Sequence, residues 1–254
     1  AAATVIGQAV TLAVCAGYLF LKKQKPDFRL GQGAGSILGK VLLVGLSPLG
    51  LTFSPNITLI LVNKSAALSG GEFAVACYAA VSYVSCVALL LWQGVSDGCQ
   101  PLMSRSFGEN DETGAKRVRN YGFVLAAVTA LVCCVALFLV RNHIAGLFGA
   151  SEEVSAQVAN ILPLFSIGYL FASVSRMTSA YFYATNKTGR AYILIFGEPA
   201  ALLVFLLFMP QLLGIWGTWL SVPLSQIVIA AVSALFLFLF RTKNPRPRES
   251  RETV

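Results

Sequence analysis

Two charged residues lie inside long apolar stretches of the sequence: Arg176 and, within the segment LIFGEPAALLVF, Glu198. A charged side chain at the centre of a membrane helix costs roughly 2.5–3.5 kcal/mol, so such residues are usually paired or functional. Lys187 lies between the two apolar runs, and each charged residue is 11 residues away from it. Because the rise per residue of a helix is constant, Arg176 and Glu198 are predicted to lie at equal depth on consecutive antiparallel helices. We therefore expect an intramembrane pair. It is either structural, or ion-coupling with Glu198 as a carboxylate that binds a cation or a proton.

A second polar group surrounds a proline in an apolar stretch. Pro48 and Pro55 stand about two turns apart, and Ser54, Asn56 and Thr58 cluster beside Pro55. A proline removes a backbone donor and bends a membrane helix. Broken helices at mid-depth often line a substrate cavity, whereas in a merely kinked helix Ser and Thr cap the freed carbonyls. Both interpretations of these three polar residues are open at this point.

Long apolar runs are the elements that must position these residues. Of the 254 residues, 56% are hydrophobic and 12% are charged, with a mean hydropathy of +0.73, whereas about a quarter of the residues in soluble domains are charged. A helix needs about 20 apolar residues to cross the hydrocarbon core. The chain is therefore predicted to be an all-α integral membrane protein with about seven transmembrane helices, at residues 1–21, 36–62, 73–98, 120–140, 158–184, 191–209 and 214–240.

The connections between these runs differ in charge. Sixteen of the 19 Lys and Arg residues fall on one side of the predicted membrane, and only Lys64 and Arg141 fall on the other. Because basic residues collect in short cytoplasmic loops, the basic side and the C-terminus are predicted to be cytoplasmic. We therefore expect a multi-pass protein of the plasma membrane, which in a bacterium is the inner membrane. This asymmetry accounts for the net charge of +8, so no nucleic-acid partner is expected.

Four segments of the sequence are distinctive. The most specific is GGEFAVACYAAVSYVSCVALLLWQGVSDGCQPLMSRSFGEND, Gly70 to Asp111, and the other three are AAATVIGQAV, LFGASEEVSAQV and LGIWGTWLSVPLSQ. In sequence and in order, these segments resemble the multidrug and toxic compound extrusion (MATE) transporters. The resemblance extends to about Phe240 and implies the C-terminal half of a twelve-helix, two-lobe protein. The implied organisation is the last helix of the N-terminal lobe at 1–21, a cytoplasmic inter-lobe linker at 22–35, a six-helix C-terminal lobe at 36–240 and a cytoplasmic tail at 241–254.

The resemblance also implies a function. The chain is expected to be a fragment of a secondary-active antiporter that exports cationic or amphipathic organic compounds in exchange for H⁺ or Na⁺, with the lipid bilayer and the missing N-terminal lobe as its partners. The alternatives are a lipid-linked oligosaccharide flippase of the same superfamily and a non-transporting membrane scaffold half-protein. The sodium-coupled NorM-like branch is expected to use acidic residues in segments that correspond to 36–62 and 158–184, which here contain no Asp or Glu. The coupling ion therefore stays open.

Enzymatic chemistry is not expected of this chain. Its six cysteines have neither disulfide-like nor metal-like spacing, and His143 is the only histidine. A catalytic triad or a histidine metal site therefore has little to build on, and no cofactor is expected.

The end of the third apolar run carries residues that disfavour a helix. Gly94, Gly98 and Pro101 predict that the chain turns near Pro101. Asp97 and Arg105 flank this predicted turn as a candidate ion pair.

Overall fold

The structure of the protein is a computed structural model in which residues 2–22 and 34–239 are described. Most of the linker predicted at 22–35 and all of the tail predicted at 241–254 lie outside these residues. Within the described ranges, helix is the only regular secondary structure. A helix satisfies the polar groups of its own backbone, which lipid cannot do.

The helices are much longer than those of an average soluble domain. Gly71, with φ 64° and ψ −156°, interrupts the longest of them, and two helices meet there: α2a, residues 34–70, and α2b, residues 72–108. The positive φ at this position favours glycine. The described helices are α1 (Ala2–Leu21), α2 (Ala34–Gly108), α3 (Glu112–Ile144), a 3₁₀ turn (Gly146–Phe148), α4 (Glu152–Ala184), α5 (Thr188–Leu213) and α6 (Ile215–Leu239).

The chain divides into two compact units, Ala1–Val41 and Leu42–Val254. The first unit contains α1, whose described side chains are exposed or half-buried. The second unit contains most of α2 and all of α3 to α6, together with both hydrophobic cores. All the residues singled out from the sequence for chemistry belong to the second unit.

Membrane crossing is possible for most of these helices. Five stretches in the described residues are long and apolar enough to span a bilayer, and Val5–Leu21 is a shorter apolar helix. One of the five, Leu49–Gly108, has 60 residues, about 90 Å of helix against a hydrocarbon core of about 30 Å. Because this stretch is broken at Gly71, each of its two parts can cross. The prediction of an all-α membrane protein is confirmed, and each of the seven predicted runs coincides with a helix or with one part of α2.

The turn predicted near Pro101 is wrong. α2b continues through Pro101 to Gly108, because a proline within a membrane helix removes only one backbone hydrogen bond, which neighbouring groups can replace. The chain reverses after Gly108, where the Asp111 side chain accepts a hydrogen bond from the backbone N–H of Gly114 at 2.9 Å and caps α3.

The ion pair proposed for Asp97 and Arg105 does not form. Asp97 Oδ1 accepts a hydrogen bond from Gln93 Nε2 at 2.9 Å. Arg105 Nε lies 2.9 Å from Glu109 Oε1, and both side chains are exposed. Both contacts join residues four apart on a single helix, so helical periodicity explains them.

Helix α4 is the central helix of the second unit and packs against α3, α5 and α6. Of its 33 residues, 20 are buried. Aromatic side chains fill the interior around it: Tyr169 of α4 lies 5.4 Å from Trp92 of α2b, and Tyr78 of α2b stacks on Trp219 of α6 at 6.1 Å, centroid to centroid. Ser85 Oγ and Tyr169 Oη are 2.5 Å apart and join α2b to α4 by a hydrogen bond. α4 therefore carries its polar residues into the interior of the unit.

Candidate functional site

A small pocket lies where α2a, α4 and α5 face one another. Its volume is about 10 Å³, roughly what one water molecule needs and far below the 300–1,000 Å³ of drug-sized sites. Both intramembrane charged residues line it. The lining residues are Leu51 and Ser54 of α2a, Ser175, Arg176 and Ser179 of α4, and Leu194, Ile195 and Glu198 of α5.

Arg176 is buried in this pocket and is bonded to a backbone carbonyl. Its side chain is 7% exposed, and Nη1 donates a hydrogen bond to the carbonyl oxygen of Leu51 at 3.1 Å. In an α-helix the carbonyl of Leu51 would accept from the N–H of residue 55, but that residue is Pro55 and has no N–H. The guanidinium of α4 therefore supplies the donor that the proline of α2a lacks.

Glu198 lines the same pocket from α5 without forming an ion pair with Arg176. Glu198 is half-buried. Among the described residues the salt bridges are Arg105–Glu109 and Lys116–Glu112. Pro199, directly after Glu198, removes the donor that would bond the carbonyl of Ile195, a second lining residue. The pocket thus contains a carboxylate, a guanidinium and two carbonyls that prolines deprive of their helical donors.

The three polar residues predicted beside Pro55 do not share one surface. Ser54 lines the pocket, is 2% exposed, and its Oγ has no hydrogen-bond partner. Asn56 is exposed, and its Nδ2 donates to the carbonyl of Thr52 at 2.9 Å. Thr58 is half-buried and is not a lining residue. Helical periodicity explains the separation, because residues two apart point about 200° away from each other.

Sequence reasoning missed five of the eight lining residues, and three of the five contribute a hydrogen-bonded polar group to the pocket. The carbonyl of Leu51 was signalled by Pro55, four residues later, but its donor could not be identified from the sequence. Ser175 and Ser179 flank Arg176 on α4, and their hydroxyls donate to carbonyls of their own helix at 3.0 Å and 2.9 Å. Hydroxyls bonded in this way retain an oxygen that can accept a further hydrogen bond from the pocket.

The other candidate sites of the described residues are weaker. In residues 2–22 and 34–239 no group of three or more His, Cys, Asp or Glu side chains could hold a metal ion. An open pocket of about 520 Å³ lies at the α3–α4 connection and is lined by Asn142, His143 and Glu152, among others. These three side chains are exposed, so this pocket is a surface cleft.

Solved membrane transporters share this arrangement of helices. A structure described as the outward-facing conformation of a multidrug resistance MATE family transporter of the MOP superfamily aligns with a TM-score of 0.82 and 21% identity, over 93% of this chain and 54% of that chain. A MOP superfamily transporter from Pyrococcus furiosus aligns with a TM-score of 0.85 and 21% identity, over 93% and 54%. The class of the protein is therefore a multi-pass helical membrane protein with the fold of these transporters.

Sequence comparison identifies the family. The MatE family model matches residues 44–204, more than half of the chain, so the chain belongs to the MatE family. The multidrug export protein MepA of Staphylococcus aureus (strain MSSA476) is 22% identical over 217 residues, 85% of this chain and 48% of that protein. MepA of Staphylococcus haemolyticus (strain JCSC1435) is 20% identical over 245 residues, 94% and 54%. The chain spans about half the length of the curated relatives it matches, and the resemblance inferred from the sequence is confirmed.

Proposed function

We propose that the chain is the C-terminal lobe of a secondary-active antiporter that exports cationic or amphipathic organic compounds in exchange for an inward-flowing ion. Membership of the MatE family and the relatives that are multidrug export proteins support transport rather than enzymatic catalysis. The observation that carries the proposal is the pocket in which the charged groups of α4 and α5 meet the proline-freed carbonyl of α2a.

Arg176 has two alternative partners in this proposal, and the charge of Glu198 decides between them. When Glu198 is protonated, its attraction for the guanidinium is weak, and Arg176 remains bonded to the carbonyl of Leu51. When Glu198 is ionised, the attraction between two opposite charges adds to the hydrogen bond and draws Arg176 towards α5. The carbonyl of Leu51, four residues before Pro55, then loses its donor. Protonation of Glu198 is thereby coupled to the backbone of α2a beside Pro55, as an exporter that alternates between two states requires.

The chemistry of the pocket favours H⁺ over Na⁺ as the coupling ion. A bound Na⁺ would lie beside the positive charge of Arg176, which also occupies the carbonyl of Leu51. Like charges at such distances repel strongly away from bulk water. A proton instead binds Glu198 covalently and needs no space beyond the roughly 10 Å³ that the pocket offers.

Substrate binding is assigned to a different surface in this proposal. A pocket of about 10 Å³ excludes drug-sized compounds. Asn56 is exposed on α2a and is the strongest of the three predicted cavity residues for a contact with substrate. Thr58 is a secondary candidate, and Ser54 belongs to the coupling pocket. The substrate cavity then forms between this lobe and the N-terminal lobe, its proposed partner.

The proposed topology follows from the distribution of charge. The basic helix ends, including the α4–α5 turn and the tail that follows α6, face the cytoplasm, and the chain lies in a plasma membrane, in a bacterium the inner membrane. Cysteine-scanning accessibility from either side of oriented vesicles tests this orientation: a cysteine at Asn186 should be labelled from the cytoplasmic side and one at Leu147 from the other.

Replacement of Glu198 tests the coupling. In cells that express the protein at matched membrane abundance, Glu198→Gln should lower efflux of a fluorescent organic cation by roughly 5–150-fold, the range of a typical coupling free energy. Glu109→Gln is the matched control, because Glu109 is an exposed carboxylate outside the pocket, and it should retain efflux. Normal efflux by Glu198→Gln at normal abundance would show that the carboxylate is only structural.

A second experiment separates the two ions. In proteoliposomes, a pH gradient without Na⁺ should drive accumulation of the organic cation, and a Na⁺ gradient at equal pH should not. Transport that follows only the Na⁺ gradient would replace the proton by Na⁺, and transport under neither gradient would overturn the antiporter.

A further inference from the structure

Four basic side chains converge at one end of the helical bundle. Lys116 and Arg119 belong to the first turns of α3, and Lys187 and Arg190 to the α4–α5 turn and the start of α5. The guanidinium carbon of Arg119 lies 4.8 Å from the centre of the Tyr181 ring, and Lys187 Nζ lies 5.9 Å from the same centre. We call these four residues the basic cluster.

Positive charge exceeds negative charge around Lys187 in the basic cluster. All four side chains are half-buried. Glu112 is a carboxylate that acts on Lys116 and Lys187, and its Oε2 lies 3.8 Å from Lys116 Nζ. Burial lowers the pKa of Lys187, and the positive charge of Arg190 lowers it further, with smaller contributions from Lys116 and Arg119 and an opposing one from Glu112. Around Lys187, three positive charges thus act against the one negative charge of Glu112, so the local charge is net positive.

The backbone adds to this positive potential. The N-cap of α5 is Lys187, which forms no side-chain capping hydrogen bond. The amides of Arg190 and Ala191 donate to the carbonyl of Lys187, so the amides of Thr188 and Gly189 are the ones without an intrahelical acceptor at the start of this 26-residue helix. The positive end of the helix dipole lies at the same place. At the start of α3, by contrast, the Asp111 side chain already occupies the corresponding position.

The basic cluster lies at the edge of the apolar, exposed surface of the protein. Tyr121 and Val124 of α3 are exposed within five residues of Arg119, and Ile193 of α5 is exposed three residues after Arg190. In a bilayer, the phosphate of a lipid headgroup lies at this boundary, and its acyl chains extend along the apolar surface. A soluble anion would use the charges but not the adjoining apolar surface.

We propose that the basic cluster binds the phosphate of an anionic phospholipid headgroup, with the acyl chains of that lipid against the exposed apolar faces of α3 and α5. Arg119 and Arg190 supply planar guanidinium groups for phosphate oxygens, and Lys187 supplies a point charge. The bound lipid joins the start of α3 to the α4–α5 turn. This site is independent of the transport proposal, since it uses none of the residues of the Arg176–Glu198 pocket.

Lipid-dependent stabilisation of the full chain tests the site. The purified protein in detergent is titrated with phosphatidylglycerol or phosphatidylcholine, and the lipid concentration that gives half of the maximal thermal stabilisation is measured. Each Lys or Arg near a membrane surface is worth roughly a fivefold preference for anionic lipid. Wild type should therefore prefer phosphatidylglycerol by on the order of tenfold or more, and Lys187→Gln with Arg190→Gln should abolish most of this preference.

The opposite end of the bundle offers a matched control. Lys64→Gln with Arg141→Gln also removes one Lys and one Arg, so the net charge falls equally, and the lipid preference should survive. An equal loss of lipid preference in both double variants would show that the preference depends on net charge alone, and would overturn the proposed site. Should the first double variant fail to fold by circular dichroism, Lys116→Gln takes its place with an expected loss of roughly fivefold. An unchanged preference there would equally overturn the proposal.

Inorganic phosphate separates a lipid from a soluble ligand. The wild-type protein is titrated with inorganic phosphate in the absence of phospholipid. Stabilisation should remain well below that given by phosphatidylglycerol, because the apolar contacts are missing. Stabilisation by inorganic phosphate equal to that by the lipid would show that the ligand is a free phosphate and not a membrane lipid.

Discussion

Helices α3 and α4 have equal length, 33 residues each, and pack side by side, but they are buried to very different extents. Five residues of α3 are buried, against 20 of α4. The buried residues of α3 are mostly small and recur every four or seven positions, which places them on one narrow stripe: Ala115, Gly122, Ala126, Ala130 and Leu137. Between Tyr121 and Val140, most of the other residues of α3 are apolar and exposed.

This difference reverses what is found in water-soluble helices. The exposed helix α3 has the more apolar membrane window, whereas the buried helix α4 carries Arg176 and many hydroxyl groups. Lipid is as apolar as a protein interior, so burial of apolar side chains gives little driving force. Polar side chains turn inward because they find no partners in lipid. In this protein, polarity marks the buried face more reliably than hydrophobicity does.

Truncation of apolar side chains should give the largest difference in stability between variants of α3 and variants of α4. Ile161→Ala on α4 removes a fully buried side chain and should lower the free energy of unfolding by about 2–3 kcal/mol, the cost of an unfilled cavity. Leu131→Ala on α3, 57% exposed, should change it by less than about 0.5 kcal/mol. Unfolding by SDS in mixed micelles measures both. Equal losses would mean that the outward face of α3 is packed against protein and not against lipid.

Added methyl groups should give the next largest contrast. A Cβ at Gly168 of α4 would clash with Gln226 Oε1 and lie 3.1 Å from the backbone Cα of Pro223, so Gly168→Ala should destabilise by about 1–2 kcal/mol. A Cβ at Gly122 of α3 would meet the end of the Met177 side chain. Met177 can adopt another rotamer, so Gly122→Ala should cost less than about 1 kcal/mol.

Thermal stability in detergent distinguishes these two glycine variants. A larger loss of thermal stability for Gly122→Ala than for Gly168→Ala would show that Met177 is held more rigidly than the contact between α4 and α6. The predicted difference between glycines of α3 and of α4 would then be wrong.

The smallest contrast concerns a single hydroxyl group. Tyr169→Phe on α4 removes the hydrogen bond to Ser85 and should cost about 0.5–1 kcal/mol, the usual value inside a membrane protein. Ser85 retains its bond to the carbonyl of Val81 at 2.9 Å, which limits the loss. Tyr121→Phe on α3, 71% exposed, should have no measurable effect on SDS unfolding. An unchanged stability of Tyr169→Phe would show that the hydrogen bond between α2b and α4 makes no net contribution to the free energy of unfolding.

Much of the fold was predictable because it depends on composition along the chain. The apolar runs predicted the helices, and the segments that resemble MATE transporters predicted the family, both of which are confirmed. The end of α2b was predicted wrongly, since Pro101 breaks helices in water but is tolerated in a membrane helix when the freed carbonyl finds another donor. Signals of local propensity are therefore weaker here than signals of hydropathy.

For the candidate site, the depth of the two charged residues was predictable from the sequence, but their contacts were not. Counting residues from Lys187 places Arg176 and Glu198 at one level, and both line a single pocket. The direct partner of Arg176 is nonetheless the carbonyl of Leu51, 125 residues away in sequence. Partner choice depends on how α2a, α4 and α5 are rotated about their axes, which a single sequence does not specify. The roles of Glu198, Ser54, Asn56 and Thr58 remain predictions for the experiments above.

The bond between Arg176 and the carbonyl beside Pro55 has a genetic consequence. Pro55→Ala would give the carbonyl of Leu51 a helical N–H donor that competes with the buried guanidinium for this oxygen and weakens its bond to Arg176. Arg176→Met alone would leave the carbonyl without a donor. Each single change should therefore be deleterious, while the double change should recover much of the stability, because both defects are removed together. Pro55 and Arg176 are thus expected to be retained or replaced together during evolution, although they lie on different helices.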